Sequence, residues 1–557
     1  MPSLESRNSK IISTGLIFIT LFVYTQEVSD PVNSPKFLAL GVLSTLCIGM
    51  VVVPQIKYLW ENFKIICATF TIAILGMIIS TLRSESPVSQ NIYGIYGRNT
   101  GFLTQLGFLV ICLAILSFQN VEAIRRVVKA FIFAGLVNVF YCFWVLTFGD
   151  FINWNNQYKS LLGTFGNPNF ISSFFGIFSS VLLSYFLFGD VTFRTRAACL
   201  PLVAVTIFLI LKTNSIQGLI LVAISAFVSL FYKFNQKYGN AVFRIAYLLA
   251  GMMVSIFGIL GVRGIGPLSP ILYQETFNFR IQYWLAGIKM GMKFPFTGVG
   301  LDSYGDWYRE MRTPASTTSP GLNVVSNVAH NVYIDAFANG GMILLVGYLI
   351  PSILCIRAVL RLSAKLQEYD FIFVTLVSAW ITYFIQSIIS ISQIGLGIWG
   401  WTFTALLLAY ERMLNNSKLK VSKSSKKAQM KFLGTPVAVL SILLGIIVYI
   451  PPIYSDHKFT HSIIKRDALL IQESLKRTYF TPNNSLQLAQ AIQIFESSKM
   501  YDKAYSISKQ AIEFNQRSFD AWQISYYLNN STKIDKQKAR RIMITLDPLN
   551  PRWKNLN

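Results

Sequence analysis

Long apolar runs alternate with short polar joints along most of the chain. A helix needs about 20 predominantly apolar residues to cross a bilayer core. Such runs are centred near Phe18, Leu46, Ile74, Val110, Val139, Ile177, Val205, Ile224, Val254, Leu344, Val377, Leu406 and Leu443. They predict an all-α, polytopic membrane protein of about thirteen transmembrane helices. The first run follows a polar start with no small-residue cleavage site after it, so it reads as a retained span. Two regions break the pattern. Residues 262–329 are too polar to span and predict short helices lying along a membrane surface. Residues 455–557 carry helical periodicity on a polar background and predict a small separate domain. The expected organisation is a membrane domain over 1–413, a basic linker over 414–433, one further span over 434–454 and the helical tail.

Composition agrees with a chain solvated largely by lipid. Only 13% of residues are charged and 53% are hydrophobic, against about 25% charged in soluble proteins. The formal net charge of +24 does not point to nucleic acid, because the excess falls in alternate joints between spans. Lys57 and Lys64, then Arg125 and Arg126, then Arg357 and Arg361 share one side under strict alternation. The stretch around Lys418 to Lys431 joins them. An excess of Lys and Arg marks the cytoplasmic side. The N-terminus is therefore expected in the cytoplasm, and the 262–329 loop and the tail outside it. All six cysteines lie in apolar runs, which suits neither a disulfide framework nor a metal cluster. No nucleotide-binding or metal-ligating signature is present, so no metal and no cofactor is expected.

Three segments on the expected outer side carry candidate chemistry. In Tyr93-Gly94-Ile95-Tyr96-Gly97-Arg98-Asn99-Thr100-Gly101, Asn99 or Thr100 is placed to cap the next helix, and Arg98 offers a fork suited to phosphate. An interfacial arginine snorkelling from a turn is the alternative. In the second segment, Arg280 precedes Tyr283 and Trp284, and Phe294-Pro295-Phe296-Thr297-Gly298-Val299-Gly300-Leu301-Asp302 follows. Arg280 is placed to meet a phosphate at headgroup level. The third is Ala329-His330-Asn331-Val332-Tyr333, running on to Asn339-Gly340-Gly341. His330 has a reference pKa near 6.5 and suits a general base, with activity expected to fall below about pH 6. Asp302, Asp306 and Asp335 are the competing carboxylates.

Taken together and in this order, these motifs resemble the O-antigen ligase and polymerase superfamily. The resemblance covers roughly 11–413 and is best from Asn278 to Gly341. The Gly97-Arg98-Asn99-Thr100-Gly101 and Gly166-Asn167-Pro168-Asn169 segments are similar too. One element departs: Ser215-Ile216-Gln217-Gly218 stands where members often have Ser-Arg-Gly, with Lys212 nearby as a possible supporting cation. The tail resembles tetratricopeptide repeats, with Leu488 and Trp522 spaced 34 residues apart; a plain helical hairpin is the alternative.

The resemblance implies a bacterial inner-membrane glycosyltransferase in cell-surface polysaccharide synthesis. The donor it implies is a glycan on a polyprenyl (undecaprenyl) pyrophosphate, and the acceptor a lipid, glycan or protein group outside the cytoplasm. It maps the catalytic base to His330 and the pyrophosphate-binding arginine to Arg280. Arg98 is the second arginine and Asn331 a support. Metal-independent transfer is expected, and the tail repeats are expected to recruit a protein partner. Two other readings stay open here: a protein O-oligosaccharyltransferase, and a membrane transporter such as an inorganic-carbon carrier.

Overall fold

A computed structural model describes residues 4–152, 156–416 and 434–555. Among them the regular structure is helical throughout, with no strand. Each predicted span centre falls inside a helix. Eight helices are long and apolar enough to cross a membrane, or nine counting a bent pair, Thr435–Tyr449 with Pro451–Ile464. Phe102–Leu116 and Cys199–Lys212 are apolar but shorter. Of the predicted basic linker, residues 417–433 lie outside the described residues.

Burial separates the helices into a centre and a rim. Pro168–Phe188 is 78% buried along its apolar window, whereas Ala241–Val262 is 6% buried. Val242 and Val254 on that rim helix are 75% and 69% exposed. Apolar side chains facing outward in such numbers require a hydrocarbon solvent. Local signals start the helices where side chains can satisfy free N–H groups. Asn120, Asn167, Asn240 and Asp370 each cap a span with a side-chain oxygen. Between central helices, small hydroxyl residues make the contacts that lipid cannot drive. Ser225 lies 3.1 Å from Thr382, and Ser179 3.2 Å from Thr206.

The 262–329 region forms several helices, with Glu275–Lys293 and Tyr304–Met311 the longest. Glu275–Lys293 packs on the Val332–Lys365 helix through two glycines one turn apart. A Cβ on Gly287 would meet Ile334 at 2.8 Å, and one on Gly291 would meet the Phe337 ring at 2.4 Å. The Val332–Lys365 helix is broken at Gly341, which has a φ of 65°. The Pro295–Gly300 turn docks into that break. Val299 and Gly300 donate to the carbonyls of Ala338 and Asn339 at 2.9 and 3.1 Å, and Met342 donates to Pro295 at 2.7 Å. The two glycine motifs of the sequence are therefore halves of one joint. A Cβ on Gly298 would sit 2.4 Å from the Asn339 backbone.

The tail begins without a joint, since Pro451–Ile464 runs across the expected boundary at 455. It then forms two helical hairpins, Ser485–Ser497 with Tyr501–Phe514 and Phe519–Tyr527 with Lys533–Leu546. It sits on the same face as the 262–329 region. Arg312 pairs with Asp547 at 2.5 Å and Arg517 with Glu85 at 2.9 Å.

Candidate active site

The loop before Val332–Lys365 holds His330 in an uncommon conformation. His330 has a φ of 56°, a region that non-glycine residues seldom enter. Hydrogen bonds on both sides hold it. The Ala329 N–H donates to Asp335 Oδ1 at 3.0 Å. Asn331 Oδ1 accepts from the N–H groups of Tyr333 and Ile334 at 3.0 and 3.1 Å. Trp284 Nε1 donates to the His330 carbonyl at 3.4 Å. The imidazole lies 5.5 Å, centroid to centroid, from the Tyr283 ring. Asn331 thus shapes the helix start that presents the histidine.

Arg280 reaches the end of a span. Its Nη1 donates to the Ile389 carbonyl at 2.5 Å, and Ile389 closes the apolar Phe371–Ile389 helix. Among the described residues Arg280 has no ion pair. Burial holds its pKa below the usual arginine range, opposed by Tyr283. The cation is therefore partly desolvated and left uncompensated at the boundary of an apolar segment.

Arg98 is already engaged. One arm meets Asp302 at 3.2 Å and Thr100 Oγ1 at 3.2 Å, and Nη1 donates to the Asn327 carbonyl at 2.7 Å. Asp302 also accepts the N–H of Ile95 at 2.8 Å. Arg98, Asp302 and Asp335 line one cleft of about 410 Å³ counted to its open mouth, with Gln105, Asn339 and Tyr348. His330 and Arg280 stand beside this cleft and not in its wall. Both arginines act on His330. Burial first, then Arg280, then Arg98 lower its pKa to about 3, so the unliganded imidazole is neutral across the physiological range.

The structure brings His330, Asn331, Arg280 and Arg98 into one region and leaves Lys212 out of it. Lys212 is exposed at the end of its helix, with Nζ 5.4 Å from the Phe208 ring. Gln217, in the departing segment, is buried, and neither polar atom of its side chain has a partner among the described residues. Sequence reading gave no role to Asn339 and missed Tyr348. Asn339 Oδ1 accepts the N–H groups of Ser303 and Tyr304, both at 3.0 Å, fixing the chain that follows Asp302. The Asn-Gly-Gly run marked that position. Nothing marked Tyr348, which looks like any aromatic residue in a span.

The fold and site together define a multi-pass helical membrane protein with a neutral histidine and a half-buried arginine beside the end of a span. The sequence profile of the O-antigen ligase family matches residues 198–349. The chain is similar to that family across the stretch containing Arg280, His330 and the Gly298–Gly341 joint, whereas Arg98 lies before it. No curated protein matches the chain. The family likeness supports a membrane glycan ligase or polymerase.

Proposed function

We propose that the chain transfers a glycan from a polyprenyl pyrophosphate to an acceptor hydroxyl on the non-cytoplasmic side of the membrane. The observation that carries this is Arg280: a desolvated cation with no carboxylate partner, anchored where a span ends. A lipid-linked pyrophosphate has its charge at that depth. An arginine fork matches phosphate geometry and stays charged. Arg98 contributes field more than contact, since its fork is held by Asp302.

In the step, the acceptor oxygen attacks the anomeric carbon and the bond to the pyrophosphate oxygen breaks. Inversion results, and the pyrophosphate leaves with the electron pair. His330 takes the hydroxyl proton. Assigning charge neutralisation to arginine makes the step metal-independent. A base with a pKa of about 3 is weak, and the donor corrects this. Burial is the larger cause and stays, but an arriving pyrophosphate offsets the arginine share of the depression, so the base strengthens when the leaving group is in place. The tail hairpins suit a repeat-like module that recruits a protein partner or the acceptor.

Purified protein in liposomes carrying a polyprenyl-pyrophosphate glycan tests the reading. Wild type should release polyprenyl pyrophosphate and yield a glycosylated acceptor. His330→Ala should bind donor yet turn over about 10²–10⁴-fold more slowly. Full turnover by His330→Ala, or solute uptake with no lipid-linked donor present, would overturn it.

A further inference from the structure

A run of hydrogen bonds leads from the tail to the cleft wall. Asn515, at the turn between the two tail hairpins, donates from Nδ2 to Asp306 Oδ1 at 3.2 Å. The other Asp306 oxygen accepts from Ser86 Oγ at 2.6 Å and Gln90 Nε2 at 2.9 Å. The same Gln90 nitrogen donates to the Asp302 carbonyl at 3.1 Å. Asp302 in turn pairs with Arg98.

Two features say this run matters. Asp302 has a φ of 51°, so its backbone sits in a sparsely populated region and depends on its bonds to stay there. Asp306 is a half-buried carboxylate whose pKa is raised by desolvation, against the lowering effect of Ser86, Gln90, Asn515 and Arg517. Losing one donor leaves a partly buried acceptor short. The tail is also braced here. Arg517 accepts support from Asn515, its N–H donating to Asn515 Oδ1 at 3.0 Å. Its guanidinium stacks 3.3 Å over the Trp307 ring and pairs with Glu310 and Glu85.

We propose that the tail is a working part of the site: Asn515, through Asp306 and Gln90, positions Asp302 and Arg98. These are positioning residues, and no substrate contact is assigned to them. The placement rests on the transfer reading only for what the site does. The coupling itself is a property of the apoprotein.

The discriminating variant is Asn515→Asp. It keeps the oxygen that accepts the Arg517 N–H, removes the donor to Asp306, and sets one carboxylate against another. The companion is the exchanged pair Asn515→Asp with Asp306→Asn, where residue 306 becomes the amide donor. Two readouts apply to the full-length protein: kcat for transfer, and the His330 imidazole titration by NMR, which needs no substrate. Asn515→Asp should lower kcat by about two- to thirtyfold with little change in donor KM. It should also move the His330 titration upward as Arg98 withdraws. The exchanged pair should restore both. An unchanged titration and kcat in Asn515→Asp would overturn the proposal. So would a loss that the exchanged pair fails to restore, since that reports general damage. If wild type shows no transfer at all, the titration arm still decides the coupling.

Discussion

Arg312 and Arg280 belong to the same 262–329 segment, one fully buried and the other half-buried, and their charges are met in opposite ways. Arg312 is fully enclosed with Asp547, whose exposure is also nil; the two meet at 2.5 Å, and Arg309 stands 3.5 Å from the same carboxylate. Arg312 Nη1 donates to the Leu322 carbonyl at 2.8 Å, and Trp553 Nε1 reaches Asp547 at 3.1 Å. The charge there is answered from within the protein, and so are the hydrogen bonds of both terminal nitrogens, while Arg312 Nε has no partner among the described residues. Among the described residues Arg280 has a single carbonyl and no carboxylate. Desolvating a cation costs several kcal/mol unless something compensates it. Where the protein supplies the compensation, the arginine holds domains together. Where it does not, water and a bound ligand are the remaining sources.

The largest effect that could break this contrast is on stability. Asp547→Ala leaves Arg312 buried and unpaired and also strips Arg309 and Trp553 of a partner. Removing one member of a buried pair typically costs about 3–5 kcal/mol. Tail docking should weaken by that order, read as a lower unfolding midpoint and as protease access to the 465–555 region. A variant as stable as wild type would show that the pair is not what seats the tail.

Arg280 should behave in the reverse way. Arg280→Ala removes an uncompensated charge, so the protein should be no less stable. Donor affinity and turnover should instead fall by about 2–5 kcal/mol. Arg280→Lys should recover little, because a point charge replaces a fork. Turnover assays with the lipid-linked donor, beside unfolding curves for both variants, check the two halves separately. An Arg280→Ala protein that is unstable but fully active per folded molecule would place Arg280 with Arg312.

How far the sequence told these two arginines apart follows from where their partners lie. Local features were partly legible: the apolar runs and the glycine turns each act over a few residues, whereas Asn99 and Thr100 do not cap the next helix as expected, since Gly101 stands at its N-cap with no side-chain hydrogen bond. The site motifs were legible because the Pro295–Gly300 turn and the Gly341 break each need glycine to fold as they do. The partners were not. Asp547 is 235 positions from Arg312, and no periodicity links them. Arg98 looked free in its loop, yet Asp302 takes it from 204 positions away, the difference between the two residue numbers in the pair. The reference pKa behind the expected acid limit near pH 6 does not apply to the free protein for the same reason: burial and two distant arginines, not the loop around His330, lower it.

The finest test of the contrast is therefore a pH profile. As the proposed base, His330 would work only when neutral, so its contribution would be complete above its pKa and lost as pH falls through it. In the free protein that pKa is lowered to about 3, by burial and then by Arg280 and Arg98. The acid limb of kcat/KM, which reports free enzyme, should then show no His330 step between pH 7 and 5. The limb of kcat reports the donor complex, where pyrophosphate offsets the arginine charge. It should lie at higher pH than the limb of kcat/KM. Arg280→Gln removes one of the two depressing charges, so its residual kcat/KM should acquire an acid limb shifted upward from wild type. The shift should stay incomplete, because burial, the first cause, is untouched. A wild-type kcat/KM that already halves near pH 6 and does not respond to Arg280→Gln would mean that Arg280 does not act on the catalytic histidine.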